Sequence, residues 1–224
     1  MARTTAIPLV EDKIFYPESD GEPMAESKLH LQEMTYLLEA LEERFLDEPG
    51  VFVGGNLLFY FERGARNAVV APDAFVVKDL PDGKALRTKY LLWEERQLPC
   101  FVAEVTSEST RKNDERDGAK WTLYERLGID EYFLFDPEGD YLDPRLQGYR
   151  LAGGRYRPVA PELDGALLST TTGVVFRAEG LRLRLTDAAS GTAYLRKEEE
   201  TRARRQAEAQ VRALQEELAR LRGH

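Results

Sequence analysis

The chain has 224 residues, of which 42% are hydrophobic and 32% are charged, and its formal net charge is −9. This composition excludes wholesale disorder and allows one full domain with an appendage, or two small domains. One cysteine, Cys100, and two histidines, His30 and His224, are too few for a disulfide framework or a structural zinc site within one chain. The acidic balance argues against a protein that coats nucleic acid non-specifically.

No stretch approaches the ~18 consecutive apolar residues that a membrane-spanning helix needs. The first 16 residues include Arg3, Glu11 and Asp12 and contain no continuous apolar segment, so they do not resemble a signal peptide. We therefore expect a cytoplasmic protein.

Helical periodicity predicts a first helix over about 26–45, before the Pro49-Gly50 pair. Short apolar runs separated by glycines then predict strands. These predicted strands are 51–53, 56–61 and 69–77.

After a mixed segment over 79–97, the run 99–106 predicts a strand that is covered on both faces. Ser109 or Thr110 is a suitable N-cap for a second helix that continues to about residue 127 and ends at Gly128. A further strand is predicted over 131–136.

Between 140 and 186 the pattern predicts β-hairpins, with turns at Gly153-Gly154 and Glu179-Gly180. Residues 193–222 form a predicted charged helix. The order of strands, helix and strand indicates an α/β fold with a mixed sheet flanked by helices. We divide the chain into a domain over 1–190 and a C-terminal helix within 191–224.

Three ionisable side chains, Glu26, His30 and Glu33, continue the apolar face that Leu37 and Leu41 define on the first helix. This placement predicts that they point inward near the start of the helix. The alternative is that this end is solvated and that Glu26 only caps the helix.

On the second helix, Lys120 lies in the middle of the apolar face with Tyr124 and Leu127. A buried ammonium needs a carboxylate, a phosphate or a path to water. Asp117 is the predicted local partner, and a purely structural ion pair is the alternative.

Two carboxylates lie at buried strands: Glu104 interrupts the apolar strand 99–106, and Asp73 follows Pro72 at the edge of another. A buried glutamate is costly unless it meets a cation. Two carboxylates and a lysine suit phosphodiester hydrolysis assisted by Mg²⁺ or Mn²⁺, since such hard cations prefer oxygen ligands.

The residues Pro72-Asp73 and Glu104-Val105-Thr106 resemble the motif of the PD-(D/E)XK nuclease superfamily. Further segments make the chain similar to one branch, the Uma2 family of restriction-endonuclease-like proteins. These segments are 20–26 with His30, 55–58, 71–73, 104–111, Lys120 with 124–128, and 131–137.

This resemblance implies a restriction-endonuclease-like mixed sheet with Asp73, Glu104 and Val105 at the metal and Glu26 as an extra acidic residue near it. Thr106 occupies the position where the superfamily has lysine, and the resemblance implies that Lys120 has taken over that role. The remaining implied cleft residues are His30, Asn56, Thr106 and Ser107.

On the C-terminal helix, Val211, Leu214, Leu218 and Leu221 have the spacing of a short coiled-coil seam. We therefore expect a homodimer that associates through this helix, with a solvated helix as the alternative.

The resulting functional hypothesis is a divalent-metal-dependent endonuclease that hydrolyses DNA, with Asp73, Glu104, Lys120 and Glu26 as its catalytic residues. The alternative is a catalytically silent module of the same fold that binds nucleic acid or a protein and assembles through its C-terminal helix.

Overall fold

The computed structural model describes residues 14–19 and 27–222. Within these ranges the helices are Lys28–Arg44 (α1), Leu92–Glu95 (α2), Arg111–Asp114 (α3), Ala119–Leu127 (α4) and Lys197–Arg222 (α5). The strands are Phe52–Gly54 (β1), Phe59–Tyr60 (β2), Val69–Val70 (β3), Ala74–Val77 (β4), Tyr90–Leu91 (β5), Phe101–Val105 (β6), Glu131–Phe135 (β7), Leu146–Ala152 (β8), Arg155–Pro158 (β9), Leu167–Ser169 (β10), Val174–Glu179 (β11) and Arg182–Asp187 (β12).

A mixed six-stranded sheet with the order β1-β4-β6-β7-β8-β9 lies at the centre of the fold. β6 and β7 are parallel, whereas the other neighbouring strands are antiparallel. A parallel pair needs a crossover connection, and α3 and α4 supply it here. Two three-stranded sheets, β10-β11-β12 and β3-β2-β5, accompany the central one. The predicted α/β fold with a mixed sheet, extra hairpins and a C-terminal helix is confirmed.

Both faces of the central sheet are covered, so its strands are apolar on both sides. One face packs against α1 and the β10-β11-β12 sheet, and the other packs against α4 and the β3-β2-β5 sheet. Because side chains alternate along a strand, Ala103 and Val105 of β6 face α1, whereas Val102 and Glu104 face α4. The strand register thus points Glu104 towards the helix that carries Lys120.

Two elements that the sequence predicts as continuous are each interrupted in the structure. The single strand predicted over 69–77 is two strands in different sheets, β3 and β4, which are separated at Pro72, a residue without a backbone N–H.

The single helix predicted over 110–127 is interrupted between α3 and α4. Asp117 adopts a left-handed conformation there, with φ of 67°. A Cβ on Gly118 would lie 2.5 Å from the Asn113 carbonyl oxygen, so this close approach of the backbone requires glycine.

None of the helices in the described ranges combines the length and the hydropathy that crossing a bilayer requires.

Glu131, at the start of β7, connects the central sheet to the β10-β11-β12 sheet. Its buried carboxylate accepts hydrogen bonds from the hydroxyl groups of Ser169 at the end of β10 and of Thr170 and Thr171 in the turn that follows, and from Arg150 on β8. The backbone N–H groups of Thr170 and Thr171 donate to it as well. Burial raises the pKa of Glu131, but these donors outweigh burial and the net pKa is lowered.

A depressed pKa in the folded state stabilises the fold above the unfolded pKa of about 4.3, and this stabilisation is lost as the pH falls. We expect Glu131→Gln to lower the free energy of unfolding by about 3 kcal/mol at pH 7, since several donors lose a charged acceptor. The difference from the wild type should shrink as the pH falls below about 4.3, because protonation removes the same charge. Urea denaturation at a series of pH values measures this, with the exposed Glu162→Gln as the matched control. A difference that does not change with pH would contradict the assignment.

Candidate metal-binding and catalytic site

The ends of β4 and β6 bring the Asp73 and Glu104 carboxylates together. Ala74 pairs with Ala103 in the antiparallel register, so Asp73 lies beside Glu104 one residue further along. The Asp73 N–H donates to Glu104 Oε2 at 3.2 Å. The Val105 N–H donates to Asp73 Oδ2 at 2.7 Å. The two carboxylates, which are 31 positions apart in the chain, are thus held at one place by strand pairing.

Lys120 reaches the same place from the first turn of α4. Its Nζ lies 2.9 Å from Glu104 Oε2 and 3.0 Å from Asp114 Oδ1, and only 16% of its side chain is exposed. The three positions that the sequence singled out, 73, 104 and 120, therefore meet in the structure.

The prediction that Asp117 is the partner of Lys120 is wrong. The side chain of Asp117 is 86% exposed and contacts only Arg116, at 4.0 Å, among the ion pairs of the described residues. The actual second partner is Asp114, the last residue of α3, which is almost fully buried. A helical wheel drawn for one continuous helix places positions 114 and 120 about 120° apart. Because the helix is in fact broken between them, helical periodicity could not predict that Asp114 contacts Lys120.

Tyr124 completes the surroundings of Glu104. Its hydroxyl group donates to Glu104 Oε1 at 2.9 Å, and both side chains are fully buried. Tyr124 lies one helical turn after Lys120, so α4 presents an ammonium and a hydroxyl group to the same carboxylate. The neighbouring Tyr132 donates to the backbone carbonyl oxygen of Asp114 at 2.9 Å.

The site carries more negative than positive charge. Burial raises the pKa of Glu104, Lys120 opposes this, and the nearby Asp73 and Asp114 reinforce it, so that the pKa reaches about 8. Burial likewise raises the pKa of Asp114 against the effect of Lys120. Burial lowers the pKa of Lys120, but the charges of Glu104, Asp114 and Asp73 outweigh it and the net pKa is raised. Three carboxylates lie near one ammonium, which contacts two of them, and their mutual repulsion is incompletely compensated.

A cavity of about 490 Å³ adjoins the carboxylates on the side of α1. Its lining residues are Ser27, Leu29, His30, Thr106, Ser107, Glu108, Ser109, Pro137, Glu138 and Tyr141. His30 connects the cavity to the carboxylates, since its Nε2 lies 3.5 Å from Asp73 Oδ2. Of the cleft residues named from the sequence, His30, Thr106 and Ser107 thus line one cavity.

Asn56 differs from the other three named cleft residues, because it is exposed and is not among the residues that line the cavity. Its backbone N–H donates to the Pro72 carbonyl oxygen at 2.9 Å. The preceding Gly55 allows this turn to approach Asp73, whose carbonyl oxygen would lie 2.5 Å from a Cβ at residue 55. Asn56 therefore supports the backbone of the Asp73 segment.

The two acidic residues that the sequence predicted to point inward near the start of the first helix, Glu26 and Glu33, have different outcomes. Glu26 lies outside the described residues. Glu33 is buried, as its position on the helix predicts, but its hydrogen-bond partners are Leu183 and Arg196 and not Asp73. Its carboxylate accepts from Arg196 at 2.6 Å and from the Leu183 N–H at 2.7 Å, so it joins α1 to β12.

The residues present fit a divalent cation that is bound by two carboxylates and water. Asp73 and Glu104 supply adjacent oxygen ligands of the kind that Mg²⁺ and Mn²⁺ prefer, and Mg²⁺ usually keeps several of its waters. In the described part of the chain no group of three or more His, Cys, Asp or Glu side chains is arranged to hold a metal ion. When all three carboxyl groups are ionised, the formal charge of Asp73, Glu104, Asp114 and Lys120 together is two negative units, which one divalent cation would neutralise.

Comparison with known proteins gives the family. The sequence pattern of Uma2, described as "Putative restriction endonuclease", matches residues 6–183. A crystal structure from Anabaena variabilis ATCC 29413, described as a "putative nuclease belonging to DUF820", is similar at a TM-score of 0.45 and 15% sequence identity. That similarity covers 71% of this chain and 87% of the other chain. No curated protein matches the sequence. Because the family pattern covers most of the chain, the protein belongs to the Uma2 family of restriction-endonuclease-like proteins.

Proposed function

We propose that this protein is a divalent-metal-dependent endonuclease that hydrolyses phosphodiester bonds of DNA. The observation that carries the proposal is that Lys120 is paired with both Glu104 and Asp114, while the Asp73 segment is hydrogen-bonded to Glu104, so that three carboxylates lie near one ammonium. A site that buries this excess of negative charge favours a cation. Membership of the Uma2 family supports nucleic acid as the substrate.

Each residue has a role in this proposal. Asp73 and Glu104 would hold Mg²⁺ or Mn²⁺, with Val105 fixing Asp73 through its backbone N–H. The bound cation would supply charge neutralisation at the phosphate and lower the pKa of water. Lys120 orients the attacking water or the scissile phosphate, as an ammonium next to two carboxylates can do. His30 positions Asp73 from the cavity side. Glu26, which precedes the N-cap Ser27 of α1, is the further acidic residue of the proposal.

Lys120 takes the role that the superfamily motif gives to a residue two positions after Glu104. That position is Thr106, which is buried, carries no charge and lines the cavity. Thr106 lies directly after the last residue of β6, and its backbone N–H donates to the Phe135 carbonyl oxygen. The ammonium therefore approaches the face of Glu104 from a helix and not from the strand.

The proposal predicts cleavage that depends on the metal and on each of three side chains. Nicking of supercoiled plasmid should require Mg²⁺ or Mn²⁺ and stop when EDTA is added. Asp73→Asn, Glu104→Gln and Lys120→Met should each lower the rate by at least about 100-fold, because each removes a charge beside the reacting phosphate. The matched control is Asp117→Asn, which changes an exposed carboxylate on the same connection as Lys120 and should leave the rate unchanged.

Circular dichroism would verify that each variant is folded. Cleavage that persists in both Asp73→Asn and Lys120→Met would remove the site assignment. Calorimetric titration separates the proposal from the alternative of a silent binding module: Mn²⁺ binding without cleavage of DNA or RNA would favour the module. Absence of Mn²⁺ binding at millimolar concentrations would contradict the enzyme.

We further propose that the chain consists of a domain over 1–190 and a C-terminal helical segment over 191–224, and that two copies of the chain associate through α5. Val211, Leu214, Leu218 and Leu221 form an exposed apolar stripe on this helix. In a parallel pair, Glu217 of one copy would face Arg222 of the other at the flanking positions of the seam, where opposite charges are favourable. A second copy therefore fits this stripe in both hydrophobicity and charge.

Sedimentation velocity tests this association. The wild type should sediment as a dimer, and the double variant Leu214→Glu, Leu218→Glu should sediment as a monomer, because charges in the seam repel and lose apolar burial. The control Ala213→Glu, Ala219→Glu adds the same charge to exposed positions outside the stripe and should remain dimeric. A monomeric wild type would contradict the proposal.

A further inference from the structure

We propose that Asp114 is the positioning residue of Lys120: it holds the ammonium when a divalent cation takes the Glu104 carboxylate. This inference rests on the metal site of the proposed function and adds a residue to it. Asp114 belongs to a different helix from Lys120 and lies outside both β6, which carries Glu104, and β4, which begins directly after Asp73.

The first observation is the position of the ammonium between two carboxylates. Lys120 Nζ is 2.9 Å from Glu104 Oε2 and 3.0 Å from Asp114 Oδ1, so the two ion pairs are equivalent in length. Within residues 14–19 and 27–222, Lys120 is the one basic side chain within 4.0 Å of the Asp114 carboxylate. Lys120 is thus the counter-ion that compensates the buried charge of Asp114.

The second observation is that Asp114 is fixed in place from its backbone. Tyr132, a fully buried residue of β7, donates its hydroxyl hydrogen bond to the Asp114 carbonyl oxygen. The reversal at Asp117 and Gly118 then turns the chain so that α4 places Lys120 opposite Asp114. The backbone of Asp114 is thus held by the central sheet through a contact that does not involve Lys120.

These contacts imply a competition for Glu104. A cation at Asp73 and Glu104 would need Glu104 oxygens, and Lys120 contacts one of them. Two cations on one carboxylate repel each other, so the ammonium must move away from Glu104 or weaken metal binding. Asp114 gives the ammonium a second partner at the same distance, and this partner neutralises Lys120 close to where the water or phosphate would lie.

Calorimetric titration with Mn²⁺ at one fixed pH tests the inference without any substrate. Asp114→Asn should weaken Mn²⁺ binding by at least about fivefold, because Lys120 then competes for Glu104 without an alternative partner. Lys120→Met should tighten Mn²⁺ binding relative to the wild type, because the competitor is gone. Asp117→Asn is the matched control and should bind Mn²⁺ like the wild type.

The double variant Asp114→Asn, Lys120→Met distinguishes this role from two others. If Asp114 acts through Lys120, the effect of Asp114→Asn should be smaller in the Lys120→Met background than in the wild type. An equal or larger effect in that background would show that Asp114 is itself a metal ligand and would overturn the inference. A purely structural role would lower the free energy of unfolding and leave the affinity of the folded protein for Mn²⁺ unchanged.

Two further measurements keep the outcome decisive. If Asp114→Asn fails to fold, Lys120→Met alone decides: an affinity for Mn²⁺ no higher than that of the wild type contradicts the competition. Glu104→Gln separates the inference from the proposed function. Loss of Mn²⁺ binding in Glu104→Gln, together with no change in Asp114→Asn and Lys120→Met, overturns only the role of Asp114. No binding in the wild type overturns the metal site as well.

Discussion

The Lys120 ammonium between Glu104 and Asp114 is the interaction on which the arrangement of the site depends. Burying Glu104 on a covered face of the central sheet is unfavourable unless a cation and hydrogen-bond donors meet it. Helix α4 provides both, through Lys120 and Tyr124. The same ammonium joins α3 to α4 through Asp114, so one charge links the sheet and both crossover helices.

The chain contains two kinds of buried carboxylate, and their surroundings differ in a way that separates structure from function. Glu131 is saturated with hydroxyl, backbone and guanidinium donors, and its pKa is lowered. Glu104 has fewer donors and two carboxylate neighbours, and its pKa is raised to about 8. A carboxylate whose negative charge is fully compensated by protein donors stabilises the fold. A group of carboxylates whose negative charge exceeds the positive charge around it can accept a cation from solution.

The connection between β6 and β7 shows how backbone geometry sets the chemistry. A continuous helix would carry Lys120 and Asp117 on neighbouring parts of one face and leave Asp114 elsewhere. The left-handed Asp117 and the close approach at Gly118 redirect the chain, so that Asp114 becomes buried and Asp117 becomes exposed. The break therefore decides which acidic residue meets the ammonium.

Local sequence patterns were sufficient for much of this protein. Strand and helix periodicity predicted the mixed sheet, and polar residues on apolar faces marked Glu104, Lys120 and His30, because burial of a charge is visible as an interruption of a hydrophobic pattern. Cleft residues on irregular backbone were less predictable: Thr106 and Ser107 line the cavity, whereas Asn56 is exposed beside the Asp73 segment.

The amino-acid sequence by itself determined which charged residues point inward and which helices and strands carry them. Only the tertiary structure decided how those charges pair. Register between β4 and β6 put Asp73 beside Glu104, the break between α3 and α4 brought in Asp114, and long-range packing sent Glu33 to Arg196. The physical reason is that periodicity reports which side of an element is buried, whereas the partner of a buried charge depends on contacts between elements far apart in the chain.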